Sequence, residues 1–220
     1  MATKLSEIGA AEMRAAMIDS QLRTNDVVDP AVIAAIGAVA REAHVPAALS
    51  GVAYMDRAIA LGEGRALNAP LVTGRLLVAA DLHAGLRVLL IGAATGYTAA
   101  LLARLGTEVH AVEESTDLLA AARAATAGTA IQWVEGPLAA GAPKAAPFDR
   151  IIVEGAIEAL PDTLAKQLAE GGRIVAARRE GSVTRLVQGV KTGGTIALRP
   201  FADMDVAPLP GFAAPKQFQF

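Results

Sequence analysis

The stretch Leu89-Leu90-Ile91-Gly92-Ala93-Ala94-Thr95-Gly96-Tyr97 passes from an apolar run through a glycine turn into a helical pattern. In open α/β sheets a ligand binds beyond the carboxyl ends of the strands, and a glycine turn there lets it approach the backbone closely. A second apolar run, Glu108 to Val112, ends at Glu113, where an acid hydrogen-bonds the hydroxyls of a ribose. Two glycines alone suit any tight turn, and Glu113-Glu114 alone suits a strand end in solvent. The order strand, glycine turn, helix, strand, acid favours a nucleotide-like ligand.

Other chemistries find little support. His44, His83 and His110 fall in three different elements without a shared helical spacing, so no metal site is expected. Ser20, Thr24, Thr95 and Ser115 have no His and acid arranged with them, which argues against a hydrolase; Thr95 suits a turn. The chain has no Cys, which removes disulfide scaffolds, cysteine nucleophiles, zinc ribbons and iron–sulfur sites.

The elements that must position this turn alternate along the chain. The periods of Met13, Met17 and of Val32, Ile33, Ile36, Val39 predict two amphipathic helices, broken at Arg23-Thr24-Asn25-Asp26, with Asp29-Pro30 as N-cap and first turn. Pro46 to Pro70 reads as mostly loop, long enough to suggest a functional role. Helices are predicted over 72–81, 97–105, 116–125 and 162–169, and strands over 87–91, 108–112, 131–134, 148–153 and 173–177. Short β-branched runs without polar alternation imply a parallel sheet covered on both faces, a doubly wound α/β fold. Thr184 to Val190 and Thr195 to Leu198, around Lys191-Thr192-Gly193-Gly194, predict an antiparallel strand pair at the end. Residues 1–70 are read as N-terminal helices and a substrate-side loop, and 71–220 as the nucleotide-binding domain, the whole forming one unit.

The 220 residues carry 20 Lys+Arg against 22 Asp+Glu, too balanced for a protein that works by neutralising phosphates, so nucleic acid is not an expected partner. Mean hydropathy is +0.41, but it comes from dispersed alanines, and no run of about 20 apolar residues predicts a membrane span. Glu7, Glu12 and Asp19 interrupt the place where a signal peptide would be apolar, so a cytoplasmic protein is expected. Trp133 is assigned to the core, and the run Pro208 to Pro215, with Phe212, Phe218 and Phe220, to a tail that packs on the domain or on a partner.

A set of short motifs runs from Asp19-Ser20-Gln21-Leu22-Arg23 through Val39-Ala40-Arg41-Glu42, His44-Val45-Pro46, Ala53-Tyr54-Met55-Asp56, Leu61-Gly62 and Leu67-Asn68-Ala69-Pro70. It continues in Val88 to Tyr97, Glu113, Ala146-Pro147-Phe148-Asp149-Arg150-Ile151-Ile152-Val153, Pro161 to Leu168, Gly171-Gly172 and Val206-Ala207-Pro208-Leu209. In these motifs, over most of its length, the chain resembles the protein-L-isoaspartate O-methyltransferases. The resemblance implies a Rossmann-like domain that uses S-adenosylmethionine to methylate the isoaspartyl carboxylate of damaged proteins. By that resemblance Gly92, Ala93, Ala94, Thr95, Gly96, Glu113, Gly136 and Pro137 bind the cofactor, Asn68 stands beside the reacting carboxylate, and Pro70 lies on the substrate side.

Four positions depart from the family pattern. Asn68 replaces the serine of I-S-Q-P, Leu90 the acid of V-L-E-x-G, Ala93-Ala94-Thr95 the centre of G-T-G-S-G, and Pro137 the aspartate of G-D-G. Asn68 keeps a donor but no hydroxyl; Leu90 cannot answer an ammonium; Ala94 adds a methyl where the backbone meets the ligand; Pro137 has no side-chain acceptor. Glu154, in Val153-Glu154-Gly155-Ala156, is an acid where the family has a small or hydroxyl residue, placed to compensate or to repel an acidic substrate. Two alternatives therefore stand beside the enzyme reading: a non-catalytic binding protein that has lost the cofactor, or a methyltransferase for another acceptor.

Overall fold

The computed structural model describes residues 2–214, with side chains from Gly9 onward; Pro215, Phe218 and Phe220 lie outside them. The first helix, α1 (Ala2–Met17), continues into a π-helical turn Ile18–Leu22 and a 3-10 turn Arg23–Asn25, which Asp26 ends in the left-handed region at φ 62°. Asp29 caps α2 (Pro30–Ala38) by accepting from the amides of Ala31 and Val32, each at 2.9 Å. Two short 3-10 turns follow, Arg41–His44 and Ala47–Val52.

The segment predicted as loop contains a hairpin of β1 (Ile59–Gly62) and β2 (Arg65–Leu67). Its turn is the two residues Glu63-Gly64, with φ of 51° and 71°, between the paired Gly62 and Arg65, and its strands bury Ile59 and Leu67. Two central residues with positive φ, the second a glycine, suit a tight hairpin turn, a signal obscured by the shortness of the strands. After it come α3 (Pro70–Ala80), with proline in its first turn, β3 (Arg87–Ile91), α4 (Tyr97–Arg104), β4 (Glu108–Glu113), α5 (Thr116–Ala125) and β5 (Ile131–Glu135). The rest comprises β6 (Phe148–Ile157), α6 (Asp162–Gln167), β7 (Leu168–Glu180), β8 (Val183–Thr192), β9 (Thr195–Ile196) and β10 (Arg199–Asp203).

The main sheet has the order β10-β8-β7-β6-β3-β4-β5, with β9 paired to β8. Strands β3 to β7 are mutually parallel, whereas β8 and β10 run antiparallel and extend the sheet as the tail pattern predicts. Along β3, Val88 and Leu90 pack with Leu76, Leu101 and Val175 on one face, and Leu89 and Ile91 with Phe148, Ile151 and Leu164 on the other. That two-sided burial explains why these strands read as unbroken apolar runs.

Chain direction across the sheet reverses beside β3: the sequence proceeds to β4 and β5 on one side and returns as β6 on the other. Such a switch opens a crevice at the carboxyl ends of the strands. Strand β6 runs past the predicted end at Val153 to Ile157, with its pairing to β7 interrupted between Ile152 and Ala156. This irregularity leaves Glu154 outside the pairing with β7, and its buried carboxylate meets Asn68 and Thr98 instead.

Candidate functional site

The turn after β3 lies at the switch point. Gly92 and Gly96 have φ of 76° and 85°, and Ala94, where the family pattern has glycine, adopts φ 49°. A left-handed alanine costs about 1–2 kcal/mol, so the turn keeps its shape against the preference of its own residue. Gly96 has no room for a side chain, since an added Cβ would meet Ala122 at 3.1 Å and Trp133 at 3.2 Å. Thr95 is tied to the 3-10 turn Arg41–His44: its hydroxyl donates to the His44 carbonyl at 2.6 Å, and its own carbonyl meets His44 Nδ1 at 2.7 Å. Burial holds the His44 imidazole below its ordinary pKa, against the opposing pull of that Thr95 contact.

Every residue from Gly92 to Gly96 is buried, as is Glu113 at the tip of β4. The Glu113 carboxylate accepts five hydrogen bonds: from Arg65 Nη1 and Nη2 at 2.5 and 2.9 Å, from the Ala94 amide at 2.7 Å, and from the amides of Glu114 and Ser115 at 3.0 and 3.1 Å. Three of these come from backbone and would survive a ligand. The two from Arg65 form a forked ion pair whose side chains are 4% and 0% exposed. Arg65 Nη2 also lies 3.4 Å from the Cβ position of Gly92, and Leu209 Cδ1 lies 2.9 Å from it.

Asn68 does not face an open cleft. It is 3% exposed, and its Nδ2 donates to Glu154 Oε2 at 2.5 Å, while the Thr98 hydroxyl donates to Glu154 Oε1 at 2.7 Å. The Asn68 carbonyl accepts from Arg41 Nη2 at 2.5 Å, and Arg41 Nε donates to the Ala53 carbonyl at 2.7 Å. Arg41 is fully buried, stacks 5.0 Å from the Tyr97 ring centre, and has its pKa lowered by that burial. The cluster therefore balances a buried cation and a buried carboxylate within one polar network. Pro70 is buried as the first residue of α3.

Gly136 and Pro137 sit beyond β5, with Pro137 exposed and the Gly136 amide donating to the Glu113 carbonyl at 3.1 Å. Leu90 lies inside the sheet at 0% exposure. Trp133 is only partly buried, against the Gly96 end of the turn. Sequence reasoning placed the turn and Glu113 together but missed Arg65 and Leu209 as their neighbours, and Arg41 and Thr98 as those of Asn68 and Glu154. No local signal marks Arg65, since an arginine in a short strand beside a turn is ordinarily solvated. A groove of about 540 Å³ between Arg173 and Arg199 lies at the antiparallel side of the sheet, apart from this crevice.

Comparison with known proteins gives a consistent picture. The family described as Protein-L-isoaspartate(D-aspartate) O-methyltransferase (PCMT) matches residues 12–210. A protein-L-isoaspartate O-methyltransferase of Methylorubrum populi is 43% identical over 164 residues, covering 74% of this chain and 77% of that one. One of Methanoculleus marisnigri is 36% identical over 201 residues, covering 90% and 91%. A crystal structure of a beta-aspartate methyltransferase (PCMT) from Plasmodium falciparum, in complex with S-adenosyl-L-homocysteine, superposes with a TM-score of 0.77 at 18% identity over 89% of this chain and 97% of that one. A further solved protein-L-isoaspartate O-methyltransferase gives a TM-score of 0.75 at 22% identity; this chain covers 62% of its length, and 84% of this chain is matched.

Proposed function

From the premise that this chain belongs to the protein-L-isoaspartate(D-aspartate) O-methyltransferase family, we propose that it methylates the carboxylate of isoaspartyl residues in proteins with S-adenosylmethionine as donor. The observation that carries the reading is the register of β3 and β4 at the switch point, which brings the turn amide of Ala94 within 2.7 Å of Glu113. That is the backbone frame in which an acid meets a ribose beside a glycine turn.

In the arrangement described, Arg65 fills the position on Glu113 where a ribose would be held. Both oxygens of Glu113 are engaged by Arg65, the turn is buried, and Pro137 offers no side-chain acceptor. Methyl transfer to a carboxylate needs alignment more than a strong base, and alignment requires an open crevice. Asn68 and Thr98 hold Glu154 on the same edge, so an acceptor carboxylate would approach beside an acid each of whose oxygens already accepts one hydrogen bond.

A second reading, a non-catalytic member of the family, is favoured by the same Arg65 contact. Incubation with labelled S-adenosylmethionine and paired peptides, one isoaspartyl and one with ordinary aspartate, separates the two. Label in the isoaspartyl peptide alone supports the methyltransferase reading. Turnover on neither peptide, in a folded protein that also gives no heat with millimolar S-adenosylhomocysteine, supports the second. Cofactor binding without isoaspartyl turnover directs the search to another acceptor.

A further inference from the structure

We propose that Arg65 is a built-in occupant of the ribose subsite and that the β1–β2 hairpin is the gate carrying it. The inference rests on reading the crevice as an S-adenosylmethionine site, and it adds a closed state to that site. A ribose presents two neighbouring hydroxyls to a carboxylate; the two terminal nitrogens of Arg65 present two donors to Glu113 at 2.5 and 2.9 Å. The three remaining donors to the carboxylate are backbone amides, which hold it in place whether or not Arg65 is there.

The base of the hairpin is fixed, with Ile59 and Leu67 buried in the core, and its exposed tip, Gly62 to Gly64, is the part free to move. Strands β1 and β2 have 4 and 3 residues, pair only with each other, and form no ladder with the eight-stranded sheet. Gly62 and Gly64 at this tip have φ of 96° and 71°, and no atom lies within 4 Å of a Cβ built on either. Glycines with free space and no steric preference between left- and right-handed backbone are suited to absorb a hinge rotation. At the tip, exposed Glu63 is held by the Ser115 hydroxyl at 3.2 Å, the residue that also caps α5. Arg65 is the first residue after this turn, so lifting the tip withdraws the guanidinium from Glu113 and from the face of Gly92 together.

A gate of this kind weakens ligand binding by the fraction of time it is open; a crevice open one time in about a hundred binds about a hundredfold more weakly than its intrinsic affinity. Calorimetric titration of the full chain with S-adenosylhomocysteine tests this in the wild type, Arg65→Lys and Arg65→Gln, each first shown to be folded by circular dichroism. Lysine keeps the charge but cannot span both oxygens, and glutamine removes the charge. Affinity should rise in the order wild type, Arg65→Lys, Arg65→Gln, with glutamine gaining at least about tenfold over wild type. A purely structural ion pair would leave binding unchanged or weaker on substitution. If Arg65→Gln does not fold, tighter binding by Arg65→Lys alone carries the result. Micromolar binding by the wild type with no gain in the substituted chains overturns the gate and leaves the methyltransferase reading standing. Absence of binding in all folded chains overturns both.

Discussion

At the scale of single residues the site is governed by what Glu113 touches. Its carboxylate has no contact with water, so its charge is balanced by Arg65 and by three backbone amides rather than by solvent. Removing one member of a buried pair strands the other, which costs about 3–5 kcal/mol, whereas replacing both with apolar groups of similar size is often neutral or stabilising. Glu113→Leu and Arg65→Met should each lower the midpoint of urea unfolding, and the double substitution should lose less than the sum of the two while staying below wild type, because Glu113→Leu leaves the buried Ala94 amide without its acceptor. A double mutant as unstable as the sum of the singles would show that the pair is not an isolated unit. A ligand that enters here must therefore replace an arginine's hydrogen bonds and not merely displace water. Asn68 illustrates the same point on a neighbouring atom: its side chain is committed to Glu154, so its polar groups serve the buried network before they serve any acceptor.

At the scale of elements, three segments distant in sequence converge on the turn after β3. The β1–β2 hairpin brings Arg65, the 3-10 turn Arg41–His44 brings His44 against Thr95, and the segment after β10 brings Leu209 onto Gly92 and Gly155. Leu209 is fastened by backbone, its amide donating to the Ala156 carbonyl at 2.8 Å while the Ala156 amide donates to the Ala207 carbonyl at 2.8 Å. Its side chain is 7% exposed and fills the space left by two glycines that have no side chains of their own. Leu209→Ala should open a cavity there and cost about 2–4 kcal/mol, since buried leucine truncations lose both transfer energy and contacts. For a chain of this size the thermal midpoint should drop by about 5–10 °C in calorimetry. A drop of less than a degree would mean that the segment does not hold the turn.

At the scale of the whole molecule, one parallel sheet with apolar cover on both faces carries the turn, and the antiparallel strands lengthen it on one side. No helix among the described residues is long and apolar enough to cross a membrane. Both tyrosines are buried, and burial raises both phenols, Tyr54 to about 12 with help from its bond to Glu42. Unfolded tyrosines ionise near about pH 10, so the folded state binds more protons above that value. Stability is thus retained below about pH 10 and falls as pH rises from there through the folded values. A spectrophotometric titration of the folded chain should show little tyrosinate at about pH 10; half-ionisation of both residues there would refute the burial argument. Much of this architecture is legible in the chain itself. Unbroken apolar runs such as Val88 to Ile91 specify buried parallel strands because only two covered faces tolerate them, and Asp29-Pro30 specifies a helix start because it satisfies free amides. The glycine turn and Glu113 are likewise readable, since strand order places both at one edge. What only the tertiary structure decided is what fills that edge. Arg65, Arg41, Glu154 and Leu209 come from separate parts of the chain, and a charge pair or a packed side chain depends on distances in space that no local spacing encodes.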